Sequence, residues 1–94
     1  MNEKKIEKPK RAVALGFEQG KDEAPYVIAS GTGKVAEKIL ELAVEHGVPL
    51  REDKELVEAL AGLELGDAIP DELFAAVAEV LVFFEKVNRE RKRA

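Results

Sequence analysis

The residues most suggestive of chemistry form the segment Ser30-Gly31-Thr32-Gly33-Lys34, which combines glycines, hydroxyls and a lysine. An apolar segment precedes it and a helical pattern follows, so backbone N–H groups at the helix start could hold an anion or a nucleotide phosphate. The Walker pattern, however, requires glycine at the position of Ile28 and Ser or Thr at the position of Val35. We interpret the segment as a structural strand-to-helix turn, with anion or nucleotide binding as the alternative function.

Other polar side chains offer no catalytic arrangement. The single histidine, His46, has no Ser or Cys nucleophile near it in sequence, and cysteine is absent. Glu37, Glu41 and Glu45 follow i, i+4 spacing, which is typical of a solvated helix face. Residues 67–72 lack the alternating acidic ligands of a calcium loop. We therefore predict no enzyme activity, no metal and no cofactor.

Size and composition indicate one small domain. The chain has 94 residues, of which 46% are hydrophobic, and this suffices for one core. Glu79 and Glu85 interrupt the longest apolar stretch, so a membrane span is not expected. The first ten residues lack the apolar region of a secretory signal. These features, with the absence of cysteine, predict a soluble cytoplasmic domain.

Charge is unevenly distributed along the chain. Residues 1–11 carry a net charge of +3 and residues 86–94 of +4, whereas residues 12–85 carry −11. Basic ends can attract nucleic acid or anionic lipid, which gives a further alternative function. The acidic body opposes both, and we predict neither nucleic-acid binding nor membrane insertion.

Hydrophobic periodicity predicts an α/β (α+β) fold with the order β-β-α-β-α-α. It consists of a three- to four-stranded sheet packed with about three helices. Residues 1–10 are predicted to be a poorly ordered lead or an edge strand, 11–88 the domain, and 89–94 a basic tail. The predicted elements are strands at 11–17, 25–30 and 48–51, and helices at 33–46, from an N-cap at Asp53 to about Leu63, and from Pro70 to about Arg89.

The last helix is apolar on nearly every side. From Leu73 to Phe84 only Glu79 is charged. Such a helix is either buried on most of its surface or lies against a partner. The sequence therefore predicts a central core helix with one edge open to a partner.

Four phrases carry a family resemblance: AVAL at 12–15, APYVIASG at 24–31, VPLRED at 48–53 and GDAIPDELFAAVAEVL at 66–81. In this order and spacing they resemble the cytoplasmic C-terminal domain of the FlhB/YscU family, export-gate components of flagellar and injectisome type III secretion. The resemblance covers roughly residues 7–88. It implies a protein-interaction module of flagellar type III protein export.

The resemblance also implies a docking site. In the family, a small apolar patch near the Ala-Pro phrase and the last helix is associated with substrate docking, and it corresponds to Ala24, Pro25, Ala78 and Leu81. The implied partners are flagellar export substrates or export-apparatus proteins. An open sheet edge could also accept a strand from the N-terminal part of a membrane-bound FlhB.

The chain departs from the family pattern at its self-cleavage motif. Family members carry Asn-Pro-Thr-His, whose Asn side chain attacks its own carbonyl carbon, whereas Glu7, Lys8, Pro9 and Lys10 stand here. The chain also lacks the family's membrane domain and opens with Met1 and a charged lead. It thereby resembles small stand-alone FlhB-like proteins, and we expect a protein of that kind.

Because the Asn nucleophile is absent, we predict that the chain does not cleave itself. Mass spectrometry of the purified protein held at neutral pH is expected to show the intact chain. A fragment beginning near Lys8 or Pro9 would contradict this prediction.

Overall fold

The structure, a computed structural model, describes residues 11–18, 20–22 and 24–93. Within them lie two strands and three α-helices, so the predicted mixed α+β class is confirmed. The predicted edge strand in residues 1–10 lies outside the described residues. The elements are β1 (Arg11–Gly16), β2 (Tyr26–Thr32), α1 (Gly33–Glu45), α2 (Lys54–Leu60), a 3-10 turn (Asp71–Leu73) and α3 (Phe74–Arg93).

The two strands form an antiparallel hairpin, as their short connection predicts. The register shifts in the middle of the hairpin, because Ala14 pairs with Ala29 whereas Leu15 pairs with Val27. Ile28 is therefore the extra residue of a β-bulge, and its side chain is exposed.

The two faces of the hairpin pack against different helices. Val27, only 1% exposed, belongs to the main core, and its partner Leu15 packs against that core. The opposite face carries small residues. A Cβ added to Gly31 would lie 2.1 Å from Cγ1 of Val35 in α1, and Ala36 of α1 is fully buried. The small side chains allow α1 to approach the sheet closely.

The main core joins the hairpin to α2 and α3. Burying aliphatic side chains of this kind contributes about 1.5–3 kcal/mol each, so this cluster is the principal stabilising contact between the sheet and the two helices. Its buried members are Val27, Leu56, Leu60, Ile69, Val77 and Val80.

The predicted helix ends at Gly47 and Asp53 are confirmed. Gly47 has φ 70°, and the Val48 N–H donates to the Ala43 carbonyl over 2.8 Å, the bond that defines a Schellman motif. At the next helix start, Oδ1 of Asp53 accepts a hydrogen bond of 3.1 Å from the Leu56 N–H.

The predicted strand at 48–51 is wrong, because these residues pair with no strand in the described part of the chain. The Val48 N–H is already used to close α1, and Pro49 has no N–H to donate to a ladder. The described sheet consequently has two strands rather than three or four.

Four predicted ends of β2, α2 and α3 also differ from the structure. β2 continues to Thr32 rather than Ser30, and α2 stops at Leu60, before the turn at Gly62. Regular α-helix begins at Phe74 after a 3-10 turn rather than at Pro70, and it continues to Arg93. The extension follows from the high helix propensity of Arg, Lys and Glu and from the favourable interaction of cations with a helix C-terminus.

A second backbone connection fixes the entry to α3, and we call residues 66–69, with their bonds to β2, the β2 joint. The Val27 N–H donates to the Asp67 carbonyl (3.0 Å), and the Gly66 N–H donates to the Val27 carbonyl (2.8 Å). Tyr26 and Ala68 form an isolated antiparallel bridge. At Tyr26 and Val27 the joint covers the start of the β2 edge that β1 does not occupy.

The β2 joint depends on the backbone conformation of Gly66, whose φ is 88°. We predict that Gly66→Ala lowers the free energy of unfolding by about 1–2 kcal/mol, because an L-residue is strained there. The matched control is Gly62→Ala, since an added Cβ has no neighbour within 4 Å at either glycine and Gly62 lacks a positive φ. Urea unfolding measures both changes. Equal effects of the two substitutions would contradict the prediction.

Candidate docking site

The Ala24–Pro25 part of the predicted site lies beside the chain that enters α3. The Ile69 N–H donates to the Pro25 carbonyl over 3.0 Å, and Ile69 is 3% exposed in the core. Ala24 and Pro25 are themselves half-buried. The β2 joint therefore holds this segment next to Pro70, one residue before the 3-10 turn that leads into α3.

The α3 part of the predicted site is exposed to different degrees at its two residues. Ala78 is exposed, whereas Leu81 is half-buried and packs against the main core. Leu81 thus presents only part of its side chain to solvent. Ala78, being exposed and small, presents a shallow apolar surface.

Phe74 adds to this surface, although it is not among the four predicted site residues. Phe74, Ala78 and Leu81 follow i, i+4, i+7 spacing, which places them on one stripe of α3. The Phe74 side chain is 43% exposed although it is large and apolar. Its position four residues before Ala78 was the signal available in the sequence. We call Phe74, Ala78 and Leu81 the α3 stripe.

Arg51 lies against a different side of α3. The Arg51 guanidinium lies 5.8 Å from the centroid of the Phe83 ring, within the range of a cation–π interaction. At exposed sites such a contact is worth about 0.5–1 kcal/mol. Phe83 is nine residues after Phe74, which places it on the opposite flank of the helix from the α3 stripe.

The segment Ser30–Lys34 does not form a phosphate-binding loop. β2 continues through Gly31 to Thr32, and α1 begins at the next residue. The space beside Gly31 is filled by the Val35 side chain. The geometry thus favours the structural interpretation over the anion-binding alternative.

The remaining polar candidates are surface residues. Nδ1 of His46 lies 2.9 Å from the Leu42 carbonyl at the end of α1. Glu37, Glu41 and Glu45 are exposed on the same helix. Within residues 11–18, 20–22 and 24–93, no group of His, Asp or Glu side chains is arranged to hold a metal ion, and no helix is long and apolar enough to cross a bilayer.

Sequence comparison identifies close relatives. The chain is 43% identical over 83 residues to YlqH of Bacillus subtilis, an uncharacterized protein, with 88% of this chain and 89% of YlqH covered. It is also 43% identical over 81 residues to the flagellar biosynthetic protein FlhB of Salmonella typhimurium, with 85% of this chain covered. That match spans only 21% of the FlhB length.

Structural comparison agrees with the sequence relatives. A mutated EscU/SpaS C-terminal domain superposes with a TM-score of 0.77 at 27% identity, covering 81% of this chain and 95% of that domain. The PscU C-terminal domain superposes with a TM-score of 0.74 at 28% identity, covering 78% of this chain and 94% of that domain.

The family model described as the FlhB HrpN YscU SpaS family matches residues 8–84. This match covers the hairpin, α1, α2, the β2 joint and the first half of α3. The chain belongs to the FlhB HrpN YscU SpaS family and has the fold of the EscU and PscU C-terminal domains.

Proposed function

We propose that this chain is a cytoplasmic, non-catalytic interaction module of flagellar type III protein export. It docks export substrates or components of the export apparatus. The observation that carries the proposal is the 43% identity to about a fifth of a flagellar FlhB, combined with an exposed apolar α3 stripe on the helix whose entry is hydrogen-bonded to Pro25.

The proposed docking site consists of Ala24, Pro25, Ala78 and Leu81. The first two residues are held by the β2 joint at the entry to α3, and the last two lie one to two turns into that helix. Small side chains make a shallow apolar surface that a short extended or helical segment can cover. Burial of such a surface on binding is favourable because apolar area leaves water.

The non-catalytic part of the proposal rests on the sequence. Glu7 stands where the family motif has Asn, and a Glu side chain lacks the amide nitrogen that attacks the backbone. The site described above also contains no side chain that could act as a nucleophile or a base, since Ala24, Pro25, Ala78 and Leu81 are all apolar.

A second partner surface is the outer edge of β1. Among the described residues β1 pairs only with β2. Its free backbone groups could pair with a strand supplied by the N-terminal part of a membrane-bound FlhB. That strand is the alternative partner if no export substrate or apparatus protein binds at the apolar site.

The proposal predicts a localised NMR response to a rod- or hook-type export substrate. Titration of the isotope-labelled protein is expected to shift signals around Ala24, Pro25, Ala78 and Leu81. Ala78→Glu is expected to weaken binding by at least about tenfold, because a charge would be buried without a partner.

The matched control is Ala76→Glu, since Ala76 is also exposed on α3 but lies on roughly the opposite side of the helix. This variant is expected to bind as the parent protein does. Absence of shifts at high substrate concentration, or equal loss of binding in both variants, would contradict docking at this site. The outer edge of β1 would then be tested with a peptide from the membrane-bound homologue.

A further inference from the structure

The segment of the chain that contains the α3 stripe carries a single sign of charge. From Glu55 to Glu85 the sequence contains no Lys, Arg or His. The eight charged residues in this range are all acidic: Glu55, Glu58, Glu64, Asp67, Asp71, Glu72, Glu79 and Glu85. All of them are exposed. A net charge of one sign over so long a segment creates a field that neighbouring binding sites share.

Two of these acids mark the ends of the α3 stripe. Asp71 precedes Phe74 by three residues, at the start of the 3-10 turn, so it lies on the same side of the helix as Phe74. Glu85 follows Leu81 by four residues, so it lies on the same stripe one turn further along α3. An apolar surface is thus bounded by carboxylates before and after it along the helix.

We propose that the docking site selects a partner segment whose apolar residues are flanked by Lys or Arg, with Phe74 as a specificity-determining contact. This inference rests on the proposed function and adds the chemistry of the occupant. Basic flanks complement the exposed carboxylates at both ends of the stripe, and such complementarity favours encounter and suppresses acidic competitors. The 43% exposed Phe74 ring supplies the largest apolar area on the stripe.

The inference is tested with two short synthetic peptides that have the same apolar centre, one flanked by lysines and the other by glutamates. Fluorescence anisotropy with the full chain is expected to show at least about threefold tighter binding of the lysine-flanked peptide at low salt. The difference is expected to vanish in high salt, because exposed charges are screened.

Substitutions locate the source of the preference. Asp71→Asn combined with Glu85→Gln is expected to reduce the preference for lysine flanks. Glu37→Gln combined with Glu41→Gln, which removes two exposed carboxylates from α1, is expected to leave it unchanged. Equal reduction by both pairs would mean that the overall net charge, rather than the stripe, sets the preference, and would overturn the inference.

Phe74→Ala is expected to weaken binding of both peptides by at least about threefold, whereas Phe74→Leu keeps apolar area and restores most of the affinity. Leu65→Ala, at a residue 66% exposed outside the stripe, is the matched control and is expected to bind normally. Thermal unfolding of each variant confirms that it is folded. If Phe74→Ala does not fold, Phe74→Leu and the carboxylate variants still decide the outcome.

The outcomes separate this inference from the proposed function. Equal affinity for the two peptides, or tighter binding of the glutamate-flanked one, overturns the inference while an export substrate can still dock. Absence of binding by either peptide also overturns it. The proposed function falls only if the export substrate itself produces no NMR shifts at the docking site.

Discussion

The β2 joint is the constraint on which the arrangement of this molecule depends. Hydrogen bonds from residues 66–69 to Pro25 and Val27 cover the start of one edge of the hairpin and fix where the last helix begins. They allow Ile69 to enter the core beside Val27. They also hold the Ala-Pro segment, more than forty residues away in sequence from the α3 stripe, at the entry to the same helix. Without them the two halves of the proposed site would be unrelated segments.

Local signals in the sequence were sufficient for the end of α1 and the start of α2. Gly47 and Asp53 were predicted because a left-handed glycine and an N-capping carboxylate act on their immediate neighbours, and both roles are confirmed. The strand at 48–51 was wrongly predicted because the preceding helix uses a backbone N–H that a strand would need. Its β-branched and apolar residues fit a strand. However, the Val48 N–H is used to close α1, and Pro49 has no backbone N–H to donate. Competition for a backbone donor is not visible in a propensity pattern.

The site was predicted from the family resemblance rather than from physical pattern. The hydrophobic pattern indicated a last helix too apolar to be surrounded by water. It did not show which side of that helix would remain exposed after the core had formed. That depends on how α2 and the hairpin pack, which determines that Val77 is buried while Phe74 is 43% exposed. The small residues Ala24, Pro25 and Ala78 carry no distinctive chemistry. Only their placement by the fold makes them a candidate surface.

Native-state hydrogen exchange of the Val27, Gly66 and Ile69 amides tests the β2 joint most directly. These three N–H groups donate the hydrogen bonds that position the Ala24–Pro25 part of the proposed docking site. The structure predicts that they exchange as slowly as amides of the β1–β2 ladder, and more slowly still when an export substrate is bound. Exchange in the free protein at the rate of exposed turn amides, with no change on adding substrate, would contradict both the joint and the surface that it assembles.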